Sequence, residues 1–428
     1  MYLPAPCRAL HVHVLSRCSE VIRDHPKNPS TLLALVQHAG IGRALGVLSI
    51  ALLSACGGGG GNSGAATNNS GSGGSVTQAL PKTWSLESAT PAQVELNQTD
   101  VTAVLDHIFS DQAIQSATLV KDGYIVGQRF ATGRDETTLG TSWSVAKSFY
   151  SAAIGAAIDE GWINGVDQRA SDFLVEWLGT EKEEITIGDL LEMRGGFEPD
   201  SSIFFENDQT AFALSFPLNG TPGSTFWYSN PSSQLFEPLL LRATGLNAHS
   251  YLMQSILEPI GIDTTRVGMW LDPTGTNPLT YMGLDMIPSD LARFGLLFAR
   301  GGEWDGTQVL SSDYVLASLN PRSAFYGYQW WVLNDVYFGQ STPITLSAAL
   351  GLDGQKIYVW SEEDIVLVVQ TLYEHAANQG YTLSSINWPN TCRARNTCPA
   401  STGEESDGGE VPPYNEYELM SLLAKLSE

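Results

Sequence analysis

The sequence predicts a mixed α/β (α+β) fold, an antiparallel sheet flanked by helices from both ends of the globular region with an inserted all-α part. A helical pattern and a hairpin pattern occupy residues 101–130, and mainly helical patterns fill residues 185–300. Strand patterns return at 326–373, and an apolar helical stripe follows at 414–426. Because strand patterns lie on both sides of the helical middle, we expect both ends of the region to complete one sheet.

The individual elements follow from periodicity and end signals. Residues 101–108 place their apolar side chains on one helical face, and residues 117–130 alternate around Asp122-Gly123, a strong hairpin signal. Thr186 and Asp189 indicate the start of a helix over 185–194. Further helices are predicted over 233–242, 251–257 and 288–301, and strands over 326–333, 355–360 and 364–373.

Composition excludes several classes of function. The chain has 428 residues, 43% of them hydrophobic, which suffices for one large or two smaller domains. Its formal net charge of −24 repels phosphate backbones, so we expect no nucleic-acid partner. No Cys-x-x-Cys pair or His-Glu-x-x-His motif occurs, so we expect no metal site of that kind.

Residues 1–56 are interpreted as a lipoprotein signal region. A short apolar run at 42–55 ends at Leu53-Ser54-Ala55-Cys56, which is similar to the bacterial lipobox, so Cys56 is the expected lipidation site. A plain secretory signal cleaved nearby is the alternative. Residues 1–35 are too long and mixed in charge for the start of a signal peptide, and we interpret them as an extension upstream of the true start.

The Gly- and Ser-rich residues 57–79 predict a flexible tether, and 80–428 are the predicted globular domain. This order predicts an exported protein held on a bacterial membrane by lipid, facing the periplasm or the cell surface. A long polar loop at 376–413 contains Cys392 and Cys398. In an oxidising compartment these two cysteines are expected to form a disulfide.

Ser144 and Lys147 are the candidate nucleophile and its activating amine. They lie three apart in a pattern that predicts one buried helix over 141–162, so the hydroxyl and the amine can meet on one face. A desolvated lysine can activate a serine that is otherwise a weak nucleophile. Ser-x-x-Lys alone is a weak signal, because most such matches are ordinary helix residues.

Two further segments offer complementary groups. Tyr228 could act as a base beside a lysine ammonium, and Asn230 could orient that lysine, although a packed turn explains both residues too. At 349–360, Gly351 and Gly354 precede a β-rich run, which is typical of a strand that a ligand approaches closely. An edge N–H there could pair with that of Ser144 as an oxyanion hole.

Together these segments resemble the serine β-lactamase/penicillin-recognising superfamily, specifically its class C-like branch. The resemblance covers about residues 100–373 and the C-terminal helix. Its motifs are Ser144-Val145-Ala146-Lys147, ITIGDLLEMRGG, PGSTFWYSN, EPIGI, YGYQWW and GLDGQKIYVW. That branch also contains esterases, D-aminopeptidases and 6-aminohexanoate-dimer hydrolases, so the resemblance implies a β-lactamase/transpeptidase-like fold and a serine hydrolase.

The resemblance implies a role for each matched residue. Ser144 would be acylated, Lys147 would help to deprotonate it, and Tyr228 would be the general base and acid. Asn230 would contact the lysine, and the N–H groups of Ser144 and Leu352, the residue after Gly351, would bind the oxyanion. Water would then hydrolyse the acyl-enzyme, with no metal or cofactor.

One departure from the family affects the expected substrate. Ala349-Leu350-Gly351 stands where β-lactamases carry Lys-Thr-Gly or His-x-Gly, whose cation binds a substrate carboxylate. Losing such a contact costs about 1.5–3 kcal/mol, roughly ten- to a hundredfold in binding. The substrate is therefore expected to be a neutral ester or amide. Four tryptophans would suit an apolar group on it or pack in the core: Trp143, Trp227, Trp330 and Trp331.

Three alternatives stay open from the sequence. The chain could be a cell-wall D,D-peptidase or weak β-lactamase, or a tethered binding protein with a catalytically dead hydrolase fold. A Ser-His-Asp triad using His375 is disfavoured, because no Gly-x-Ser-x-Gly elbow occurs.

Overall fold

The structure of the protein, a computed structural model, describes residues 79–372 and 414–428, which belong to one compact unit. The signal region at 1–56 with Cys56, nearly all of the tether, His375, and the Cys392–Cys398 pair lie outside the described residues. No helix within the two described ranges is long and apolar enough to cross a membrane.

The main feature is a six-stranded antiparallel sheet built from both ends of the domain. Its spatial order is β2-β1-β11-β10-β9-β8. The six strands are β1 (Ile114–Lys121), β2 (Tyr124–Phe130), β8 (Trp331–Leu333), β9 (Leu346–Leu350), β10 (Lys356–Trp360) and β11 (Ile365–Thr371). The intervening short strands are β3 (Gly140–Thr141), β4 (Gly268–Met269), β5 (Leu284–Met286), β6 (Glu303–Trp304) and β7 (Thr307–Gln308).

Helices flank the sheet and fill the segment between its two halves. They are α1 (Gln98–Ile108), α2 (Ala146–Asp159), α3 (Ile187–Leu191), α4 (Gln209–Ser215), α5 (Asn230–Gln234), α6 (Phe236–Thr244), α7 (Ala248–Leu252), α8 (Pro288–Ala299), α9 (Ser312–Leu319), α10 (Asp335–Phe338) and α11 (Glu416–Ala424). The apolar faces of α1 and α11 pack on one side of the sheet, and those of α2 and α8 pack in the larger core on the other. The predicted fold class is confirmed.

Several predicted elements match closely. The β1–β2 turn is a two-residue hairpin in which Asp122 (φ 52°) and Gly123 (φ 80°) both adopt the left-handed conformation that such turns require. Thr186 caps α3, and its side chain exchanges hydrogen bonds with Asp189 as a capping box. At these two positions, the residue types therefore determine the local backbone conformation.

Other elements differ from the prediction. The helix expected at 233–242 begins at Asn230 and is divided at Leu235 into α5 and α6. The helix expected at 251–257 consists of α7 followed by a π-helical turn, Met253–Leu257. Only Trp331–Leu333 of the strand expected at 326–333 is regular, because Gln329 has a φ of 62° and donates its N–H to the carbonyl of Leu191 (3.1 Å).

Candidate active site

Ser144 lies on a turn that precedes the buried helix. The predicted single helix is instead a 3-10 turn, Trp143–Val145, followed by α2. Ser142 is held by β5, since its N–H donates to Leu284 O (2.8 Å) and its Oγ accepts from Leu284 N (2.9 Å). Trp143 then takes a φ of +46°, a conformation rare outside glycine. Its side chain is buried, while Ser144 is only half-buried.

Lys147 is buried beneath this turn, and three acceptors surround its ammonium group. Its Nζ donates to Ser144 Oγ, to Asn230 Oδ1 and to the carbonyl oxygen of Tyr281, each at 2.9 Å. The side chain is 1% exposed. An ammonium group has three donors, and a buried charge is tolerated when its hydrogen bonds are made. These three acceptors stabilise the buried ammonium group.

Two tyrosine rings also face the lysine. Its Nζ lies 5.0 Å from the ring centroid of Tyr228 and 5.4 Å from that of Tyr281, within cation–π range. Tyr228 is half-buried against Trp331 (ring centroids 5.3 Å apart) and Tyr326 (6.2 Å). Burial and the neighbouring Tyr228 raise the pKa of Tyr326 well above its usual value, so Tyr326 stays neutral.

The backbone of Met193 positions the segment that carries Tyr228 and Asn230. Trp227 N donates to Met193 O (2.8 Å), and Ser229 N donates to Met193 Sδ (3.4 Å). Asn230 is the first residue of α5, so its side chain lies where the chain turns into the helix. The segment is a turn into α5, and it also brings Tyr228 and Asn230 into contact with Lys147.

Gly351 lies directly against the turn of Ser144. A Cβ atom at this position would clash with the carbonyl oxygen of Ser142 and lie 3.3 Å from Cβ of Trp143. Strand β8 pairs with residues 346–348 of β9, and among the described residues no strand pairs with the end of β9 on that side. The N–H of Gly351 donates inward to Gln355 O (2.7 Å).

Leu352 follows this close contact. Its side chain packs against the small apolar cluster that contains Trp143 and Tyr281. Gly351 is extended (φ −121°, ψ 159°), and Leu352 begins a 3-10 turn, Leu352–Gly354. The backbone proposed for the oxyanion hole therefore borders the Ser144 turn.

The residues at the cation-motif positions, 349 and 350, are apolar and bring no positive charge to the site. Ala349 is 1% exposed, and Leu350 is half-buried. Lys356, opposite Leu350 in β10, instead bonds to Glu416 of α11 (3.0 Å). Of the four tryptophans considered for an apolar substrate group, Trp143 and Trp330 belong to buried clusters, whereas Trp227 and Trp331 are half-buried.

Sequence reasoning missed Tyr281 and Met193. Tyr281 contributes a backbone carbonyl, which any residue type supplies, and Met193 contributes mostly backbone at a φ of 56°. Met193 lies inside the ITIGDLLEMRGG segment, but nothing in that segment indicates its contact with the Tyr228 segment, and Tyr281 lies in none of the motifs. No group of three or more His, Cys, Asp or Glu side chains in the described parts of the chain is arranged to hold a metal ion.

Solved structures share this fold. A candidate 6-aminohexanoate-dimer hydrolase from Bacillus anthracis is 21% identical (TM-score 0.53), with 62% of this chain and 76% of that chain covered. A candidate β-lactamase from Bacteroides dorei is 17% identical (TM-score 0.54; 71% and 98% covered). The octameric penicillin-binding protein homologue from Pyrococcus abyssi is 20% identical (TM-score 0.51; 68% and 75% covered).

The family follows from the sequence itself. No curated protein matches the chain. The family model described as Beta-lactamase matches residues 110–380, a span that contains Ser144, Lys147, Tyr228, Asn230 and Gly351. This span exceeds half of the 428 residues, and the chain therefore belongs to the β-lactamase family of serine hydrolases.

Proposed function

We propose that the protein hydrolyses a neutral ester or amide through an acyl-enzyme formed on Ser144. The contact of 2.9 Å between Lys147 Nζ and Ser144 Oγ carries this proposal. A buried lysine bonded to a half-exposed serine is the arrangement that activates a hydroxyl for nucleophilic attack. A catalytically dead binding protein would have no need for a buried ammonium group with three matched acceptors.

Tyr228 is the proposed general base and acid. The Lys147 cation beside its ring favours a phenolate, which takes the proton from Ser144 Oγ as that oxygen bonds to the carbonyl carbon. Tyr228 then gives the proton to the leaving alcohol or amine as its bond to carbon breaks. In the second half, Tyr228 takes a proton from water, water attacks the acyl carbon, and Ser144 leaves with the proton.

Backbone N–H groups stabilise the oxyanion in this scheme. The proposed donors are Ser144, the middle residue of the 3-10 turn, and Leu352, after the close contact of Gly351 with Ser142. Such preorganised donors are usually the largest contribution to catalysis of acyl transfer. Gly351 would act by letting the two backbone segments approach.

The lining of the site supports a neutral substrate with an apolar group. Ala349 and Leu350 offer no charge to a carboxylate. Beside Tyr228, Trp331 forms a half-buried aromatic surface with Phe226 and Phe325, whose ring lies parallel to that of Trp331 at 6.1 Å. Burying an apolar acyl or alkyl group there contributes roughly 25 cal/mol per Å².

Steady-state kinetics with three substrates test this function. We expect the protein to hydrolyse p-nitrophenyl butyrate, an ester, or butyryl-p-nitroanilide, an amide, and to hydrolyse nitrocefin poorly. The ester or amide hydrolysis should be lost in Ser144→Ala. Rapid nitrocefin turnover would instead favour a β-lactamase or D,D-peptidase. Undiminished ester hydrolysis by Ser144→Ala would overturn the proposed mechanism.

The location of the enzyme is a separate proposal that rests on sequence. Cys56 at the end of the lipobox-like segment is the proposed lipid attachment point, and residues 57–79 are the proposed tether. We expect the full chain expressed in a bacterium to incorporate labelled fatty acid and to sediment with membranes. A Cys56→Ser variant that still incorporates the label would contradict this assignment.

A further inference from the structure

We propose that Tyr281 and Gln209 are positioning residues, which fix the carbonyl acceptor that holds Lys147 against Ser144. This inference rests on the proposed function, because it concerns the lysine that activates the nucleophile. It assigns a positioning task to two side chains of the inserted helical part, which also carries Tyr228 and Asn230.

Tyr281 connects the lysine to the helical part at two points. Its carbonyl oxygen accepts from Lys147 Nζ (2.9 Å), and its hydroxyl donates to Gln209 Oε1 (2.7 Å). The side chain is fully buried, and this burial raises the pKa of Tyr281 well above its usual value. The hydroxyl therefore remains a donor throughout the working pH range.

Gln209 is itself held in place. It is the first residue of α4 and fully buried, and its N–H donates to Asp272 Oδ2 (3.1 Å). Asp272 also accepts from Asn277 Nδ2 (2.7 Å). A glutamine whose backbone and side chain are both bonded cannot move without breaking a buried hydrogen bond, so it provides a fixed anchor for the Tyr281 hydroxyl.

A second glutamine fixes the backbone just before Tyr281. Gln234 Nε2 donates to the carbonyl of Pro278 (2.9 Å), and its Oε1 accepts from the N–H of Thr280 (3.1 Å). The hydroxyl of Thr280 donates to Ser233 O (2.8 Å). The backbone of residues 278–280 is thus held immediately before the peptide that presents its oxygen to Lys147.

The direction of this carbonyl distinguishes a positioning role from ordinary core packing. Nζ has three acceptors, and Tyr281 supplies one of them while Ser144 and Asn230 supply the others. If the carbonyl moves, the ammonium group loses a buried partner and is drawn away from Ser144 Oγ. The consequence is slower acylation and a changed proton affinity of the Lys147–Tyr228 pair, rather than weaker substrate binding.

The main test variant is Tyr281→Phe, which removes only the hydroxyl and keeps the ring and the carbonyl. Gln209→Met removes the acceptor at similar volume. The matched control is Tyr358→Phe, because the Tyr358 hydroxyl is also buried but bonds to Glu416 (2.7 Å) on the opposite side of the sheet. Each full-length variant is assayed with p-nitrophenyl butyrate across pH, and its thermal unfolding is recorded.

We expect Tyr281→Phe and Gln209→Met to lower kcat about tenfold, to change KM less than about twofold, and to shift the midpoint of the kcat–pH profile by about half a unit or more. Tyr358→Phe should lose thermal stability with kcat and pH profile unchanged. If Tyr281→Phe behaves like Tyr358→Phe in an enzyme that Ser144→Ala inactivates, the positioning role is overturned and the proposed function stands. Should Gln209→Met fail to fold, Tyr281→Phe alone decides. Full activity of Ser144→Ala would overturn both.

Discussion

The backbone of Gly351 touches the backbone of Ser142, two residues before the proposed nucleophile. This contact joins the end of β9 to the strained turn at Trp143, and the proposed oxyanion donors, Ser144 and Leu352, each lie within two residues of it. Any side chain at position 351 must push the turn away, because its Cβ would overlap a backbone oxygen that cannot rotate aside.

Gly351→Ala should therefore damage catalysis more than stability. A displacement of about 1 Å at the turn would lower kcat/KM roughly a hundredfold. Gly133→Ala is the control, since Gly133 has a φ of +77° and open space around its Cβ position, so it tests backbone strain away from the site. Equal kcat/KM for the wild type and Gly351→Ala would show that the contact does not position the nucleophile.

Catalysis should be lost both when the Lys147 ammonium group is removed and when it is replaced by a larger cation. Lys147→Met leaves Asn230 Oδ1 and the Tyr281 carbonyl without their donor, and Lys147→Arg places a planar guanidinium group where a compact ammonium fits. Both variants should lower kcat by about 10²–10⁴.

Lys182→Met is the control for Lys147. Lys182 is another mostly buried lysine, and it is bonded to the carbonyl of Leu214 (2.9 Å) instead of to any residue of the proposed site. It should lose stability and keep kcat. Comparable losses of kcat in Lys182→Met and Lys147→Met would point to general destabilisation as the cause.

Two substrates of similar size but different charge test the apolar residues at the cation-motif positions, Ala349 and Leu350. p-Nitrophenyl butyrate and mono-p-nitrophenyl succinate differ chiefly in a terminal carboxylate. Because Ala349 and Leu350 provide no cation, the neutral butyrate should have the higher kcat/KM, by about tenfold or more. A preference for the succinate would reveal a carboxylate-binding cation that the described site does not account for.

Glu237 should make stability fall as pH rises. Its carboxyl group is buried and accepts from Thr210 Oγ1 (2.9 Å), and burial raises its pKa from 4.5 to about 7. Between these two values the folded state holds the proton more tightly than the unfolded state does. The free energy of unfolding therefore decreases as pH rises through this window, by on the order of 3 kcal/mol at most.

Glu237→Gln isolates this contribution. Urea unfolding of the wild type and the variant should give similar free energies near about pH 5, and the variant should be the more stable near about pH 8. Asp290 has a pKa raised to about 6 by burial, and burial lowers that of His249 to about 4, but both residues are common to the two proteins. An identical pH dependence for both proteins would contradict the buried, protonated state of Glu237.

Side-chain motifs and periodicity predicted the fold class and the residues that meet at Lys147. Spacing of three placed Ser144 and Lys147 together, and a hydrogen bond of 2.9 Å is observed. Sequence reasoning placed Ser144 inside one continuous helix, whereas the bonds of Ser142 to Leu284 force a separate 3-10 turn. Such long-range bonds leave no local signal.

The contacts that support Lys147 could not be predicted from the sequence either. The Tyr281 carbonyl and the Gln209 side chain become neighbours of the site only through the packing of the inserted helices. Trp330 and Trp331 were equal candidates in the sequence, but Trp330 is buried and Trp331 is half-buried. Residue type alone therefore does not separate the core from the site here.

Covalent labelling tests most directly whether Ser144 is the nucleophile. The full-length protein is incubated with a fluorophosphonate probe, digested, and mapped by mass spectrometry. An adduct on Ser144, absent from Ser144→Ala and strongly slowed in Lys147→Met, is the predicted result. Labelling of another residue, or undiminished labelling of Ser144→Ala, would show that Ser144 is not the nucleophile.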